Sequence, residues 1–143
     1  MLPAYDDNNI FAKILRGEAP CVKLHEDDNA LAFMDVMPRA PGHLLVIPKS
    51  RARNLFDVEP RALAALMPVV QTLARAARTG LGADGASVFQ FNESAGGQVV
   101  FHLHVHVIPR FEGDKLKPPG GPMADIAELE AVAAKIRAAL TSA

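Results

Sequence analysis

Three histidines alternate with apolar residues at positions 102–106, in the order His-Leu-His-Val-His. The intervening and flanking side chains are apolar or aromatic, which favours a β-strand. Successive side chains of a strand point to opposite faces. The spacing therefore predicts that His102, His104 and His106 share one face, with neighbours about 6.6 Å apart. Imidazoles can attack phosphorus, hydrogen-bond phosphate oxygens or bind a metal ion.

Three interpretations of this row are open. Buried structural histidines would need partners that the nearby sequence does not offer. A tetrahedral zinc ion can take two ligands from alternate strand residues, but a third lies too far along the same strand, so His25 or His43 would have to fold back. In the third interpretation, one imidazole attacks phosphorus while its neighbours hydrogen-bond phosphate oxygens.

A glycine-containing loop at 92–98 comes just before the histidines. Gly96 and Gly97 allow the backbone to approach a ligand closely, and backbone N–H groups of such loops can cradle phosphate. Asn92 and Gln98 add neutral side-chain donors. Because a metal ion has little use for N–H donors, the loop favours phosphate over metal, and we predict a catalytic anion site with no metal.

Composition is that of an ordinary soluble protein. The 143 residues are 50% hydrophobic and 22% charged, with a net charge of −1, which fits a single domain over 1–143. The near-zero charge argues against nucleic acid or an anionic membrane as a partner. The single cysteine, Cys21, excludes an intrachain disulfide. No targeting or membrane-spanning pattern is visible, so we expect a cytoplasmic protein.

Hydrophobic periodicity predicts three helices and five strands around this site. The helices are expected near 9–16, from about 58–61 to 80–82, and over 124–140, and the strands near 22–24, 31–33, 43–47, 87–91 and 99–108. This order of elements predicts an α+β fold with a mainly antiparallel sheet.

Residues 8–112 resemble the histidine triad (HIT) family of nucleotide hydrolases and transferases, in its Hint-like branch. The likeness rests on the triad with the two apolar residues that follow it, on Ile10-Phe-Ala-Lys-Ile-Leu-Arg-Gly-Glu, on Asp35 to His43 with Leu-Val-Ile-Pro after it, and on 92–98. It implies a HIT-like fold, a five-stranded antiparallel sheet with an N-terminal, a long central and a C-terminal helix. It also implies homodimers whose sheets join edge to edge. Residues 113–143 match the family poorly.

The resemblance also implies an activity. His104 would attack the α-phosphorus of a purine nucleotide substrate and form a covalent nucleotidyl-histidine, from which water releases a nucleoside monophosphate, usually AMP. The leaving group would be an amine, a phosphate or an acyl group, and no metal or other cofactor is required. The backbone carbonyl of His102 would orient His104, His106 would contact the phosphate, and His43 matches a fourth histidine beside the triad.

The same resemblance assigns the nucleotide contacts. Asp35 matches the acid that binds the ribose hydroxyls. The apolar base pocket would be formed by Ile10, Phe11, Ile14, Phe33 and Val36, and the phosphate-side loop by Asn92, Gly97, Gln98 and Val99.

Two departures from the family pattern affect these expectations. Val99 stands where several Hint-like proteins have Ser or Thr, whose hydroxyl helps an amine to leave. Asn9 and Ala12 stand where some bacterial members have the two cysteines of a structural zinc site, so we predict no such zinc. A purine-nucleotide-binding module with weak catalysis and a dinucleoside polyphosphate hydrolase remain the alternatives.

Overall fold

The computed structural model describes residues 1–141 and contains one five-stranded sheet with three helices. The helices are α1 (Ile10–Leu15), α2 (Pro60–Leu81) and α3 (Ile126–Thr141). The strands are β1 (Lys23–Glu26), β2 (Ala30–Met34), β3 (Leu44–Pro48), β4 (Gly85–Phe89) and β5 (Val105–Arg110). Their order in the sheet is β1-β2-β3-β5-β4, and every neighbouring pair is antiparallel. The predicted α+β architecture is confirmed.

The central strands are buried on both faces, because alternate side chains enter two different apolar clusters. Leu44 and Val46 of β3 join a large cluster with residues of α2 and α3, which we call the helix-side core. Leu45 and Ile47 of the same strand join a smaller cluster with Phe11 of α1, which we call the α1-side cluster. The two long helices therefore cover one face of the sheet, and the opposite face is left to α1 and the histidines.

Helix α2 lies against α3 at a point where a side chain would not fit. A Cβ atom added to Gly80 would lie 2.5 Å from the backbone oxygen of Lys135. The helix ends at Leu81, and the next residue, Gly82, has a φ of 67°, in the left-handed region that glycine adopts readily. Among residues 1–141, none of the helices combines the length and the apolar character that crossing a membrane requires.

The strand that carries the histidines is shorter than predicted. We expected a strand over 99–108, but β5 covers Val105–Arg110, so that His102 and His104 precede it. The ladder between β3 and β5 reaches only the pair Val46 and Val105. Two residues further along β3 is Pro48, which has no N–H with which to extend the ladder.

Alternation between faces continues outside the regular strand. Leu103 and Val105 still enter the helix-side core, whereas the rings of His104 and His106 lie 5.0 Å apart between their centroids. Strand β4 covers Gly85–Phe89 rather than the predicted 87–91.

Candidate functional site

His104 lies just before β5 and is 8% exposed. Its Nδ1 lies 2.7 Å from the carbonyl oxygen of His102. A carbonyl oxygen only accepts hydrogen bonds, so Nδ1 carries the proton and Nε2 keeps its lone pair. Burial lowers the pKa of His104, although the bond to His102 opposes the shift. The ring is therefore neutral at pH 7, with the unprotonated nitrogen that a nucleophile requires.

The ring of His102 is held through both of its nitrogens. Nε2 donates to the carbonyl oxygen of Pro48 at 2.8 Å, and Nδ1 is in hydrogen-bond contact with the hydroxyl of Tyr5. Burial holds the pKa of His102 at about 4. His102 thus contributes a neutral, fixed ring, and its backbone oxygen is the group that orients His104.

His43 and His106 form a hydrogen-bonded chain with a defined direction. The backbone N–H of Arg39 donates to Nδ1 of His43 at 3.0 Å, so the proton of the neutral His43 ring is on Nε2. That Nε2 lies 2.9 Å from Nδ1 of His106, so the proton of His106 is on its own Nε2. His106 therefore presents an N–H donor on the side of its ring away from His43.

Both rings of this chain are neutral at pH 7. Burial, reinforced by the charge of Arg39, holds the pKa of His43 at about 4. Burial also holds the pKa of His106 at about 3. The pair can therefore donate hydrogen bonds to an anion, but it holds no protonated imidazolium at neutral pH.

Asp35 follows β2 and lies beside the hydrogen-bonded pair of His43 and His106. Its Oδ1 accepts the N–H of Met37 at 2.8 Å, and its Oδ2 lies 3.3 Å from Nε2 of His43. Burial raises the pKa of Asp35, although the bond from Met37 opposes the shift. The carboxyl oxygens retain acceptor capacity, which is the chemistry by which acidic side chains bind ribose hydroxyls.

Asp35, His43 and His106 also bring three potential metal-ligand atoms within 4.8 Å of one another. A metal bound at Nε2 of His43 would displace its proton to Nδ1. There the proton would face the N–H of Arg39, which already donates to that nitrogen. The three side chains therefore fit a hydrogen-bonded chain better than a metal centre. At the positions where the resemblance implies a cysteine pair in some family members, Asn9 caps α1 through its side-chain oxygen, and neither Asn9 nor Ala12 supplies a thiolate.

An apolar surface lies next to His104 on the α1 side. The ring of Phe11 meets the ring of His104 edge-on, with centroids 4.9 Å apart, and the ring of Phe33 at 5.5 Å. Ile14 packs on the same cluster. Ile10 lies on the same helix and is 46% exposed. Three of the five predicted base-pocket residues, Phe11, Ile14 and Phe33, are thus brought together around α1 and β2, and Ile10 lies on the same helix.

Val36 is placed differently from the other predicted base-pocket residues. Its side chain packs against the helix-side core, and its carbonyl accepts the N–H of Ala124 at 2.8 Å. Alternation along the chain places Phe33 in the α1-side cluster and Met34 in the helix-side core, and Val36, two residues after Met34, enters the same core. The structure therefore does not group Val36 with Phe11 and Phe33.

The glycine loop does not offer the N–H groups that we expected. The amides of Gly96 and Gln98 donate to the carbonyl of Glu93, and the amide of Gly97 donates to that of Ser94. A tight 3-10 turn at Ser94–Gly96 consumes these donors. The amide of Val99, by contrast, has no acceptor within residues 1–141. The Val99 amide, which directly follows the loop, is therefore available as a donor to an oxyanion.

The side chain of Gln98 is buried and fully hydrogen-bonded. Its Nε2 donates to the carbonyls of Arg53 and Val100, and its Oε1 accepts from the amide of Glu93 and from Nδ2 of Asn54. These four bonds use its whole capacity. Gln98 therefore holds the loop and has no donor left for a nucleotide, in contrast to our expectation.

Asn92 is also largely committed to the protein. Its Oδ1 accepts the amide of Leu55 and the side chain of Gln90, and its Nδ2 returns a bond to Gln90. One N–H of Nδ2 remains for a ligand.

Gly97 has a φ of 97°, in the left-handed region that favours glycine. An added Cβ would lie 3.5 Å from the ring of Phe91, so the backbone conformation, and not the space around it, favours glycine at this position.

Several residues that shape the site carried no signal in the sequence. Arg53 is 9% exposed and makes a two-bond ion pair with Glu93, while Asn54 bonds the same carboxylate. Tyr5 reaches His102 across 97 residues of chain. These contacts join distant segments, so local spacing could not have indicated them.

Comparison with known proteins gives a consistent result. The sequence profile of the HIT domain matches residues 16–113. The adenylylsulfatase HINT3 of Arabidopsis thaliana is 42% identical over 107 residues, which cover 75% of this chain and 54% of that protein. The chain therefore spans about half the length of that relative. The adenosine 5'-monophosphoramidase hnt1 of Schizosaccharomyces pombe is 39% identical over 101 residues, or 71% of this chain and 73% of that protein.

Solved structures show the same similarity over more of the chain. A HIT-like protein of Bartonella henselae, described as involved in cell-cycle regulation, is 50% identical with a TM-score of 0.92, over 96% of this chain and 99% of that one. A zinc-bound histidine triad family protein of Mycobacterium smegmatis is 39% identical with a TM-score of 0.83, over 94% of both chains.

Proposed function

The chain belongs to the histidine triad (HIT) family of nucleotide hydrolases and transferases and has its fold, and from this premise we propose that it cleaves a nucleoside monophosphate, AMP, from its leaving group through His104. The observation that carries the proposal is that the Nε2 atoms of the two neighbouring rings, those of His104 and His106, differ in protonation. His104 has an unprotonated Nε2, while the neighbouring His106 carries its proton on Nε2. A nucleophile and a neutral donor for the phosphate oxygens are thus adjacent.

The reaction divides into two displacements at phosphorus. Nε2 of His104 uses its lone pair to form an N–P bond, and the bond from phosphorus to the leaving group breaks with its electron pair. Water then forms an O–P bond and gives a proton to the solvent, while the N–P bond breaks and returns its electron pair to Nε2. The bond from Nδ1 to the His102 carbonyl stabilises the positive charge that the ring acquires in the intermediate.

The surrounding groups support a nucleotide in a single orientation. Phe11 and Phe33 offer an apolar surface beside His104 for the base, and Asp35 offers carboxyl oxygens for the ribose hydroxyls. Nε2–H of His106 and the amide of Val99 are donors for the phosphate oxygens, as oxyanion stabilisation requires. Asn92 can add one further N–H.

The leaving group that we favour is one that departs as a stable anion, such as a sulfate, a carboxylate or a phosphate. An amine needs a proton to leave. His43 and His106 are neutral at pH 7, and Val99 has no hydroxyl. The two named relatives, an adenylylsulfatase and a monophosphoramidase, differ in this respect, so both substrate types belong in the test.

The test is intact-protein mass spectrometry after sub-second mixing with adenylyl sulfate or adenosine 5'-phosphoramidate. We expect a covalent adduct of one AMP unit in the wild type and none in His104→Ala. His25→Ala is the matched control, because His25 lies on β1 and pairs with Asp27. Binding of AMP with neither adduct nor product in the wild type would instead identify a nucleotide-binding module.

We also propose that the protein is a homodimer joined through β4. This strand is at an edge of the sheet, and Val88 on it is 50% exposed. Exposed apolar edges favour pairing with another strand. Light scattering after size-exclusion chromatography should give twice the chain mass, and Val88→Lys should give a monomer. A monomeric wild type at micromolar concentration would contradict this assembly.

A further inference from the structure

Tyr5 lies outside the regular elements, yet its hydroxyl contacts Nδ1 of His102. We propose that Tyr5 is a positioning residue for the nucleophile. It holds the ring of His102, and through that ring it holds the backbone carbonyl that orients His104. The catalytic consequence rests on the function proposed above, but the mechanical link between Tyr5 and His104 does not.

The bond that Nε2 of His102 makes determines which partner donates in the contact between Tyr5 and Nδ1 of the same ring. Nε2 of His102 faces the carbonyl oxygen of Pro48 and must donate to it. The neutral ring then has an unprotonated Nδ1, so the hydroxyl of Tyr5 is the donor. His102 is 1% exposed, so without Tyr5 its Nδ1 would be a buried acceptor with no partner, which is costly.

Tyr5 is itself held in place by charged neighbours. The guanidinium of Arg51 lies 5.1 Å from the centroid of the Tyr5 ring. Arg51 also donates two bonds of 2.9 Å to the carboxylate of Asp7. Tyr5 meets the ring of His102 edge-on, with centroids 5.6 Å apart. Burial raises the pKa of Tyr5, so the hydroxyl keeps the proton that it donates.

The His102 carbonyl needs such support because it lies outside the sheet ladder. Strand β5 begins only at Val105. The preceding segment is tied to the 48–52 region by the amide of Leu103, which donates to the carbonyl of Ala52 at 2.9 Å. The ring of His102 supplies the second tie, through Pro48. Tyr5 fixes this second tie from the opposite side of the ring.

The experiment compares wild type with Tyr5→Phe, which removes only the hydroxyl. In long-range ¹H–¹⁵N NMR spectra, we expect the Nδ1 resonance of His102 to move toward that of a nitrogen without a hydrogen bond. We also expect the Nδ1 proton of His104 to exchange faster with solvent. For the reaction, kcat should fall about three- to tenfold, the value of one neutral hydrogen bond, while KM stays within twofold.

Two further variants separate positioning from general packing. Asp6→Ala removes a side-chain bond to the amide of Asn8 within the same segment and should leave both imidazole signals unchanged. Arg51→Gln loosens Tyr5 but keeps its hydroxyl, and should shift the same signals by less than Tyr5→Phe does. The Arg51→Gln variant also tests the proposal if Tyr5→Phe does not fold.

The outcomes that would overturn the proposal are defined. His102 and His104 signals in Tyr5→Phe identical to those of the wild type would show that the hydroxyl holds nothing. If Asp6→Ala changed the His102 and His104 signals as much as Tyr5→Phe does, the effect would come from general packing of this segment and not from the Tyr5 hydroxyl. If the wild type proves to have no nucleotidyl activity, the NMR comparison still decides the link between Tyr5 and His104.

Discussion

At the scale of single residues, backbone groups decide where three of the four imidazoles of the site, those of His43, His102 and His104, carry their protons. The carbonyl of His102 fixes the proton of His104 on Nδ1, and the carbonyl of Pro48 fixes that of His102 on Nε2. The amide of Arg39 does the same for His43 from the opposite side. No ionised partner is needed, so the rings can be both buried and neutral. A site built in this way has a nucleophile that is ready at neutral pH without prior deprotonation.

The first prediction concerns the pH dependence of the reaction. Burial places the pKa of His104 below the ordinary histidine value of 6.5. Protonation of Nε2 abolishes attack, so the acid limb of kcat/KM should have its midpoint below pH 6.5, with a plateau from there to about pH 8. Stopped-flow measurements with adenylyl sulfate, whose sulfate does not titrate in this range, check this. An acid limb centred at or above pH 6.5 would contradict a buried neutral nucleophile.

The second prediction concerns position 99, whose side chain is 83% exposed. Val99→Ser restores a hydroxyl beside the free amide and should raise turnover of adenosine 5'-phosphoramidate about three- to tenfold, the value of one hydrogen bond to the leaving amine. Turnover of adenylyl sulfate should change by less than twofold. Val99→Ala, which removes bulk without adding a hydroxyl, is the control. Equal gains in both variants would show that size and not hydrogen bonding matters here.

At the scale of elements, the contact between α2 and α3 depends on a missing side chain. Gly80→Ala would place a Cβ atom 2.5 Å from the backbone oxygen of Lys135. Alanine favours a helix over glycine by about 1 kcal/mol, so any net loss reports the steric conflict. We expect the free energy of unfolding in urea to fall by about 1–3 kcal/mol. Gly85→Ala, where nothing lies within 4 Å of the added atom, is the control. Stabilisation by Gly80→Ala would show that α3 yields at no cost.

Periodicity predicted the existence and type of these elements, because the apolar pattern is local. It overestimated the strand before Val105, since the end of that strand is determined by Pro48 on a neighbouring strand and not by its own residues. The glycine-containing loop at 92–98 was separately expected to offer the N–H groups of Gly96 and Gly97 to a phosphate. Whether those amides are free depends on how the turn closes, and here they bond within it.

The site residues were predictable in part for the same reason. His104 and His106 are two residues apart in an extended segment, so their spacing predicts that they lie on the same face. Tyr5 and Arg53 act on segments that lie about 40 to 97 residues away, and no local spacing encodes such contacts. The resemblance placed Val36 in the base pocket, but Val36 stands three residues after Phe33, so alternation puts its side chain with that of Met34 in the helix-side core.

At the scale of the whole molecule, burying neutral histidines makes stability depend on pH. Burial holds the pKa of His43 and His102 at about 4 and that of His106 at about 3, all below the value of 6.5 in an unfolded chain. Between these limits the unfolded state binds more protons than the native state. Stability is therefore complete above pH 6.5 and declines as the pH falls toward 4.

The corresponding prediction is a slope in the free energy of unfolding between pH 7 and pH 5. Each such histidine contributes up to about 1.4 kcal/mol per pH unit. Most of this window lies above the ordinary carboxyl range, so the lowered pKa of Glu26, about 2 because of Lys23 and Lys49, adds little to the slope. Urea titrations at half-unit steps should show a smaller slope in His43→Gln than in the wild type. An identical slope would mean that His43 is protonated in the native state.

The division of the sheet into two faces has a consequence for how this scaffold can diverge. Most of the buried apolar side chains lie in the helix-side core, away from the histidines, and only a small cluster supports α1. Substitutions among the apolar side chains of the α1 face therefore affect only a small part of the apolar packing that stabilises the fold. A lineage can exchange residues there and accept new substrates, while the other face keeps the protein folded. The site and most of the apolar packing of this chain thus lie on different faces of the sheet.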